Sequence, residues 1–312
     1  MLYFIVNEKA RTGKGVTVWK QVQTELKERN ISYKAFKTEY KNHASELARK
    51  ICKIDEEDIC IVVVGGDGTL NEVINGITDF DKVRVSLIPA GSGNDFARGL
   101  GIKKQPKERL ESILNGLKEG LNACEYIDLG QVEWSNEESP RLYAISSGVG
   151  MDALVCKKAM TSNVKTIMNN IGLSKLSYLI LTIQSLVSME TANMTVTIED
   201  DETIELKNGI FGAIMNAKAE GGGVPMAPKA SVQDGLLSTC FIFGYTKFGG
   251  LLRIPILALG KHEKLKGVKI IDCKQMQIEL EKPMTLHTDG EYIGEVTKVV
   301  YTCLPSKLRF LI

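Results

Sequence analysis

Two glycine-rich turns follow two apolar stretches in the first third of the chain. Residues 61–64 (Ile-Val-Val-Val) lead into residues 65–69 (Gly-Gly-Asp-Gly-Thr), and residues 83–88 lead into residues 89–93 (Pro-Ala-Gly-Ser-Gly). Glycine lacks the Cβ atom that would keep main-chain N–H groups away from a polyphosphate, and a helix that opens at Thr69 directs its positive end toward the same place. The two turns together predict a nucleotide site.

The spacing of the glycines excludes the two commonest nucleotide-binding patterns. Neither turn matches GxGxxG, and neither matches GxxxxGK[ST]. The dinucleotide-dependent oxidoreductases and the P-loop NTPases therefore lose their main sequence support. A different phosphate-binding family is needed.

Four acidic residues are candidates to contribute chemistry to such a site. Asp67 lies between the glycines of the first turn, where a carboxylate beside a polyphosphate requires a metal ion or an acceptor hydroxyl between them. Asp289 and Glu291 flank Gly290, so that a turn there could direct both acids at one cleft; an ordinary solvated hairpin turn is the alternative. Asp95 could simply cap a helix that begins at Phe96.

The wider motif set resembles the diacylglycerol kinase catalytic domain, most closely the bacterial soluble lipid kinases of that superfamily, over nearly the whole chain. The motifs that carry the resemblance, besides the first glycine turn, are residues 71–73 (Asn-Glu-Val), 91–98 (Gly-Ser-Gly-Asn-Asp-Phe-Ala-Arg), 7–15, Thr38 with residues 43–44, 221–223, 228–230, 234–236 and 287–291. Glu8 and Arg11 depart from the family pattern, which usually has proline and a small residue there.

The resemblance implies an ATP-dependent, Mg²⁺-requiring lipid kinase and assigns roles to particular residues. The implied ATP-binding residues are Asn7, Lys9, Gly13, Lys14, Thr38, Gly65, Gly66, Gly68, Thr69, Glu72, Gly91, Ser92 and Gly93. Asn94, Asp95 and Arg98 are implied on the lipid-headgroup side. A structural Mg²⁺ is implied at Asp234 with main-chain oxygens of Ser231 and Leu236. The catalytic base is implied within the 289–291 motif, and the choice among Asp289, Glu291 and Asp67 stays open.

The leading reaction is phosphorylation of diacylglycerol to phosphatidic acid. Another lipid alcohol, such as a monoacylglycerol, a sphingoid base or phosphatidylglycerol, is an alternative acceptor. An NAD kinase shares Gly-Gly-Asp-Gly-Thr but is not expected to continue with residues 91–98 as they stand here. A non-catalytic nucleotide or lipid sensor on the same fold is disfavoured because every candidate acid is retained.

Composition restricts where such an enzyme works. A formal net charge of +1 over 312 residues gives no global basic field, so nucleic acid is not an expected partner. We expect no transmembrane segment, because no stretch of about 20 apolar residues occurs, and no signal peptide. The protein is expected in the cytoplasm, meeting its lipid transiently at the inner face of the membrane; a homodimer is left open.

The element pattern predicts two domains. Strand-like residues 2–7, 31–38, 58–64 and 83–88 alternate with helical residues 16–29, 44–53, 69–76 and 106–120, which indicates an α/β nucleotide-binding domain with a mostly parallel sheet over residues 1–125. Alternating strands at 194–199, 210–216, 237–243 and 268–280, with helical inserts at 152–168, 174–189 and 246–262, predict a larger antiparallel β-rich domain over residues 126–305 that binds lipid and carries catalytic residues. Residues 306–312 are expected to return to the first domain. The resemblance implies an NAD kinase/diacylglycerol kinase-like fold.

Overall fold

A computed structural model describes residues 1–135, 140–161, 174–199 and 202–312. The chain divides into two compact units. Unit 1 comprises Met1–Leu129 with Pro305–Ile312, and unit 2 comprises Gly130–Leu304.

Unit 1 is an α/β layer whose strands pair in parallel. Its sheet has the order β2-β1-β3-β4, and the last residues of β13 pair with β4 through Arg309 and Phe310. The core cluster is built on the fully buried strands β1 and β3, against which the buried Trp19 and Leu110 of two helices pack. The elements are β1 Leu2–Val6, α1 Ala10–Glu28, β2 Tyr33–Lys37, α2 His43–Cys52, β3 Ile59–Gly65, α3 Asp67–Ile74, β4 Val83–Pro89, α4 Asp95–Gly99, α5 Pro106–Glu119 and a 3₁₀ turn Gly120–Ala123.

Unit 2 is antiparallel. Its strands follow the order β11-β10-β9-β7-β12-β13, β8 pairs with both β12 and β9, and β5 pairs with β6. The elements, of which β5 begins and β13 ends within unit 1, are β5 Cys124–Trp134, β6 Arg141–Tyr143, β7 Ser146–Gly150, α6 Met151–Thr161, α7 Ser174–Ser188, β8 Ala192–Ile198, β9 Thr203–Met215, β10 Leu237–Phe243, α8 Lys247–Leu251, α9 Ile254–Ala258, β11 Val268–Cys273, β12 Gln275–Thr288 and β13 Glu291–Leu311.

Several predicted boundaries are wrong. The strand predicted over 268–280 is two strands, because Lys274 donates its N–H to Glu199 (2.9 Å) and accepts from the Cys303 N–H (2.7 Å), which ends one pairing and begins another. The helix predicted over 246–262 is two short helices, α8 and α9, and α3 begins at Asp67 rather than Thr69. Residues 162–168 of a predicted helix lie outside the described residues.

Residues 7–15, one of the motifs of the family resemblance, are mostly helical. Helix α1 begins at Ala10, so that most of the stretch belongs to the first turns of that helix. Gly13 has a φ of +92°, a conformation that side-chain-bearing residues rarely adopt. The glycine therefore shapes the start of α1 rather than an open loop.

Candidate active site

The first glycine turn joins β3 to α3 and fixes the hydroxyl of Thr69. A Cβ added at Gly65 would lie 2.8 Å from the Thr69 side chain, so glycine is required for the close approach of Thr69. Asn7, at the end of β1, donates its side-chain N–H to Thr69 Oγ1 at 3.0 Å. The ends of β1 and β3 are thereby joined at the start of α3.

The two glycine turns lie against each other with their backbones in contact. A Cβ added at Gly91 would lie 2.5 Å from the Gly66 Cα, and one added at Gly66 would lie 2.9 Å from the Gly91 Cα. Asn94, in the left-handed region with a φ of +51°, closes the second turn: its Oδ1 accepts from the Gly91 N–H and its Nδ2 donates to the Gly91 carbonyl, both at 3.0 Å. The side chain predicted to face a lipid headgroup thus holds the turn itself.

Asp67 contacts the helix that follows the second turn. Its carboxylate accepts from the Asp95 N–H at 3.0 Å and from the Phe96 N–H at 3.2 Å, at the N-terminus of α4, where a negative charge is stabilising. Asp95 is buried and forms an ion pair with Arg98, whose guanidinium also donates to the Gly93 carbonyl at 2.7 Å. Asp67, Gly93, Asp95 and Arg98 therefore come together at one edge of unit 1.

Lys9 and Glu72, two other predicted nucleotide residues, bind the connection between β2 and α2. Lys9 Nζ donates to the Glu39 carbonyl at 2.9 Å. Thr38, which begins this connection, donates its main-chain N–H to the Val6 carbonyl at 2.9 Å. The Glu72 carboxylate accepts from the Asn42 N–H (2.9 Å) and the Ala44 N–H (3.0 Å) at the start of α2. Lys9 and Glu72 thus fix the conformation of residues 39–44. Of the other predicted nucleotide residues, Gly13 and Lys14 are exposed, and so is Ser92 in the second turn.

In unit 2, Asp289 is held by main-chain donors. Its carboxylate accepts from the N–H groups of Ala144 (2.9 Å), Ile145 (2.8 Å) and Ser146 (3.0 Å), and its own N–H donates to the Ser146 carbonyl at 2.7 Å. Asp289 has a φ of +45° and Gly290 a φ of +81°, so the motif is a tight turn between β12 and β13. Glu291 follows the turn, half-buried and opposite Thr288.

The predicted metal residues form a second turn in unit 2. Asp234 is exposed, and its Oδ1 accepts from the Leu236 N–H at 3.0 Å across Gly235, whose φ is +74°. Ser231 lies at the start of the same turn and accepts from the Gln233 N–H at 3.3 Å through its Oγ. One oriented carboxylate beside main-chain carbonyls is an all-oxygen donor set, which is the chemistry that Mg²⁺ prefers. The residues present therefore fit the ion.

Two family matches together cover most of the chain. Residues 1–126 match the family described as "Diacylglycerol kinase catalytic domain", and residues 145–312 match the "YegS C-terminal NAD kinase beta sandwich-like domain". YtlR of Bacillus subtilis (strain 168), whose name assigns it provisionally to the lipid kinases, is 32% identical over 98% of both chains. This chain belongs to the bacterial lipid kinase family. As a member of this family, it is a kinase.

Further comparisons agree with membership of the lipid kinase family. A Bacillus subtilis (strain 168) protein named diacylglycerol kinase is 28% identical over 79% of this chain and 75% of its own length. A crystal structure of a Bacillus anthracis (strain Sterne) protein described as a diacylglycerol kinase covers 99% of this chain and 96% of its own with a TM-score of 0.69; at 19% identity it shows a shared fold.

In the part of the chain that the structure describes, no helix is long and apolar enough to cross a membrane.

This lipid kinase also contains a buried polar cluster that the motifs did not indicate. Asp152, Glu220 and His287 are all buried, and their side-chain ligand atoms lie within 4.8 Å of one another. His287 Nε2 lies 3.2 Å from Asp152 Oδ2, its Nδ1 accepts from the Gly290 N–H at 3.3 Å, and the Ser146 hydroxyl donates to Glu220. Burial disfavours the charged imidazole, but the hydrogen bond to Asp152 and the surrounding carboxylates outweigh it and raise the pKa of His287.

The cluster supports the turn that carries Asp289 and Glu291. Contacts to Asp152 and to Gly290 favour a proton on Nε2 of His287, so the ring gives Asp152 a hydrogen-bond donor rather than offering a metal ion a lone pair. A Cβ added at Gly148 would lie 2.2 Å from the Asp152 carboxylate, so this glycine makes room for the pair. In the sequence, Asp152 and Glu220 each lie within a few residues of glycines. An acidic residue near a glycine is too common a pattern to have identified these two as members of a buried cluster.

Proposed function

We propose that this chain transfers the γ-phosphoryl group of ATP to the hydroxyl of a lipid alcohol, with diacylglycerol to phosphatidic acid as the leading reaction. The apposed glycine turns, whose Cα atoms approach too closely for any side chain, carry the proposal. The first turn leads directly into the N-terminus of α3, and a glycine-rich turn at a helix N-terminus is an arrangement that binds phosphate. The family membership supports a lipid acceptor.

The ATP phosphates are proposed to bind in unit 1 over the two turns. Gly65, Gly66, Gly68, Gly91, Ser92 and Gly93 supply the main-chain surface, and Thr69 supplies a hydroxyl that Asn7 orients. Lys14 is exposed and can approach the phosphates, whereas Lys9 and Glu72 act through the β2–α2 connection that they hold. Mg²⁺ bound with ATP would offset charge on the phosphoryl group, and Asp67 is the carboxylate of these turns suited to hold it.

Glu291 is proposed as the catalytic base. Phosphoryl transfer to an alcohol requires a group that accepts the hydroxyl proton. Three main-chain N–H groups already bind the Asp289 carboxylate, which suits that residue to holding the turn. Glu291 follows on the same turn. Asp95 and Arg98 are proposed to border the lipid headgroup, and Asp234 with carbonyls of Ser231 and Leu236 to hold a structural Mg²⁺.

The proposed enzyme acts in the cytoplasm and meets its substrate at the inner face of the membrane. A lipid acceptor supports the membrane part of this proposal. A homodimer is compatible with this proposal.

A substrate panel with labelled ATP tests the reaction. The acceptors are diacylglycerol, a monoacylglycerol, a sphingoid base and phosphatidylglycerol in mixed micelles, and NAD in solution. We expect phosphatidic acid from diacylglycerol, at a rate that follows its surface concentration, and no NADP. Asp67→Ala should abolish the activity, and the exposed-carboxylate control Asp55→Ala should not. NADP formation without lipid, abolished by Asp67→Ala, would replace the lipid acceptor by NAD while keeping the nucleotide site.

A further inference from the structure

The exposed large apolar side chains of unit 2 are confined to its helices. Among the described residues of this unit they are Met160 on α6, Leu179 and Val187 on α7, and Phe248, Leu252 and Leu259 on or directly after α8 and α9. The described strand residues between Gly130 and Leu304 contribute none to that set. Such a concentration of exposed apolar side chains on a few helices is unusual for a surface that contacts only water.

Helices α8 and α9 each have one side in the core and one in solvent. Leu257 is buried and Leu251 packs against the core cluster, which anchors both helices. Phe248, Leu252 and Leu259 are 70%, 59% and 68% exposed. The same short segment thus places some of its apolar side chains in the core and presents others outward.

The end of α7 belongs to the same surface as α8. Leu186 lies against α8, since a Cβ added at Gly250 would be 3.3 Å from its side chain, and Lys247 Nζ donates to the Val187 carbonyl. Val187 is 61% exposed. We call Val187, Phe248 and Leu252 the apolar face.

The segment that carries Phe248 and Leu252 is rich in basic side chains. Residues 246–266 contain five basic side chains, Lys247, Arg253, Lys261, Lys264 and Lys266, and one acidic side chain, Glu263. The four lysines are exposed, and Glu263 is already bound by Lys229 at 2.8 Å. Apolar side chains with a basic border match the acyl and headgroup layers of an anionic bilayer.

We propose that the apolar face docks this chain onto an anionic lipid bilayer, a step that rests on the proposed lipid-kinase function. Phe248 and its neighbours enter the acyl boundary while the lysines of 247–266 meet the headgroups. Exposed apolar residues together with a basic cluster supply the two signals that stable but reversible membrane association requires. The face therefore holds the enzyme on the surface that contains its acceptor.

Vesicle flotation tests the apolar part. The full chain is mixed with vesicles of phosphatidylcholine alone or with phosphatidylglycerol, and the bound fraction is measured. We expect binding to the anionic vesicles, with about tenfold weaker partitioning for Phe248→Ser and a further similar loss on adding Leu252→Ser, the factor that burial of one such side chain supplies. Leu121→Ser, which changes a 48% exposed leucine of unit 1, is the matched control and should bind normally. Undiminished binding of the Phe248→Ser, Leu252→Ser variant would overturn the proposal.

The charged part is tested with Lys264→Gln combined with Lys266→Gln. Each lysine near an anionic surface contributes about a fivefold factor in binding, so the pair should weaken association by more than tenfold at low salt and by less at high salt. Lys103→Gln with Lys104→Gln, exposed on unit 1, is the control and should bind as the unchanged chain does. Equal loss in both pairs would mean unspecific charge attraction and would contradict a docking face.

Two further measurements distinguish membrane docking from catalysis and from dimerisation. Activity on a short-chain diacylglycerol in detergent micelles should be unchanged in the Phe248→Ser, Leu252→Ser variant, whereas Asp67→Ala should still bind vesicles without turnover. Failure of the kinase reaction is thereby distinguished from failure of docking. If light scattering shows instead that the double variant loses a dimer while vesicle binding persists, the face is an interface between two copies and the membrane proposal fails.

Discussion

Asp289 and Glu291 are separated by one glycine, yet their surroundings differ. Asp289 binds three main-chain N–H groups, so it acts as the acceptor that closes the turn onto residues 144–146. Glu291 begins β13 and is half-buried. From the sequence alone the two acids are interchangeable candidates, because nothing in an Asp-Gly-Glu triplet reveals which carboxylate the main chain will bind.

We predict that Glu291→Gln and Asp289→Asn reduce activity in different ways. Glu291→Gln should lower kcat by a factor of roughly 10² to 10⁴ with little change in melting temperature, because glutamine keeps the size of the side chain but cannot accept the hydroxyl proton. Asp289→Asn should also destabilise the fold, on the order of 3 kcal/mol, since an amide cannot accept three N–H bonds. Steady-state kinetics and urea unfolding measure the two effects.

The matched control is Glu295→Gln, which changes a glutamate on the same strand whose side chain is 54% exposed. This variant should change neither kcat nor the free energy of unfolding. Near-normal turnover in Glu291→Gln would leave Asp67 or Asp289 as the base. Normal stability in Asp289→Asn would show that the three N–H contacts do not hold the turn.

A third residue-scale prediction concerns Asp234. If this exposed carboxylate holds Mg²⁺, adding the ion should raise the melting temperature, and Asp234→Ala should remove that gain, because an ion bound only by the folded chain stabilises it by mass action. Thermal unfolding with Mg²⁺ and with a chelator measures the effect. Asp55→Ala, which removes an exposed carboxylate of unit 1, is the control and should keep the gain. If the melting temperature is the same with Mg²⁺ and with a chelator, residues 231–236 form an ordinary turn without a bound ion.

At the scale of elements, the contact between the two glycine turns is the most constrained part of unit 1. Gly91→Ala would place a methyl group 2.5 Å from the Gly66 Cα, and neither backbone can withdraw without disturbing the end of β3 or β4. We expect a loss of stability of about 2 to 4 kcal/mol and at least tenfold weaker ATP binding. Urea unfolding measures the loss of stability, and titration with ATP measures the loss of affinity.

Gly99→Ala provides the comparison for that prediction. Nothing lies within 4 Å of its added Cβ, and its position at the end of α4 favours alanine over glycine. This variant should be at least as stable as the unchanged chain. A Gly91→Ala variant as stable as Gly99→Ala would mean that the turns can separate, and the phosphate-site proposal would lose the observation that carries it.

The elements that the sequence predicted well are those with local signals. An apolar strand followed by glycines indicates β3 and the start of α3 from residues that adjoin in the chain, and Asn94 to Arg98 likewise form a local helix start. The break at Lys274 could not be predicted, because it depends on Glu199 and Cys303, which are distant in the chain. The contact of His287 with Asp152, separated by 135 positions, was missed for the same reason.

At the scale of the whole molecule, membership of the lipid kinase family and the kinase chemistry were predictable from motif order alone, since each motif is short and their succession is specific. The side-chain roles were less predictable. The resemblance assigns Glu72 and Lys9 to the nucleotide, and in the structure they bind main-chain groups of residues 39–44. A motif gives the position of a residue, whereas its partners depend on how separate segments pack.

The return of the chain to unit 1 has a consequence for biosynthesis. Arg309 and Phe310 pair with β4, and the buried Arg109 and Ser86 both donate to the Leu311 carbonyl, at 2.7 and 2.8 Å. A ribosome makes these residues only after all of unit 2. Until then the sheet of unit 1 lacks a strand and Arg109 lacks one of the acceptors that offset the cost of burying its charge. Unit 1, although most of it comes first in the sequence, is therefore the last unit to be completed.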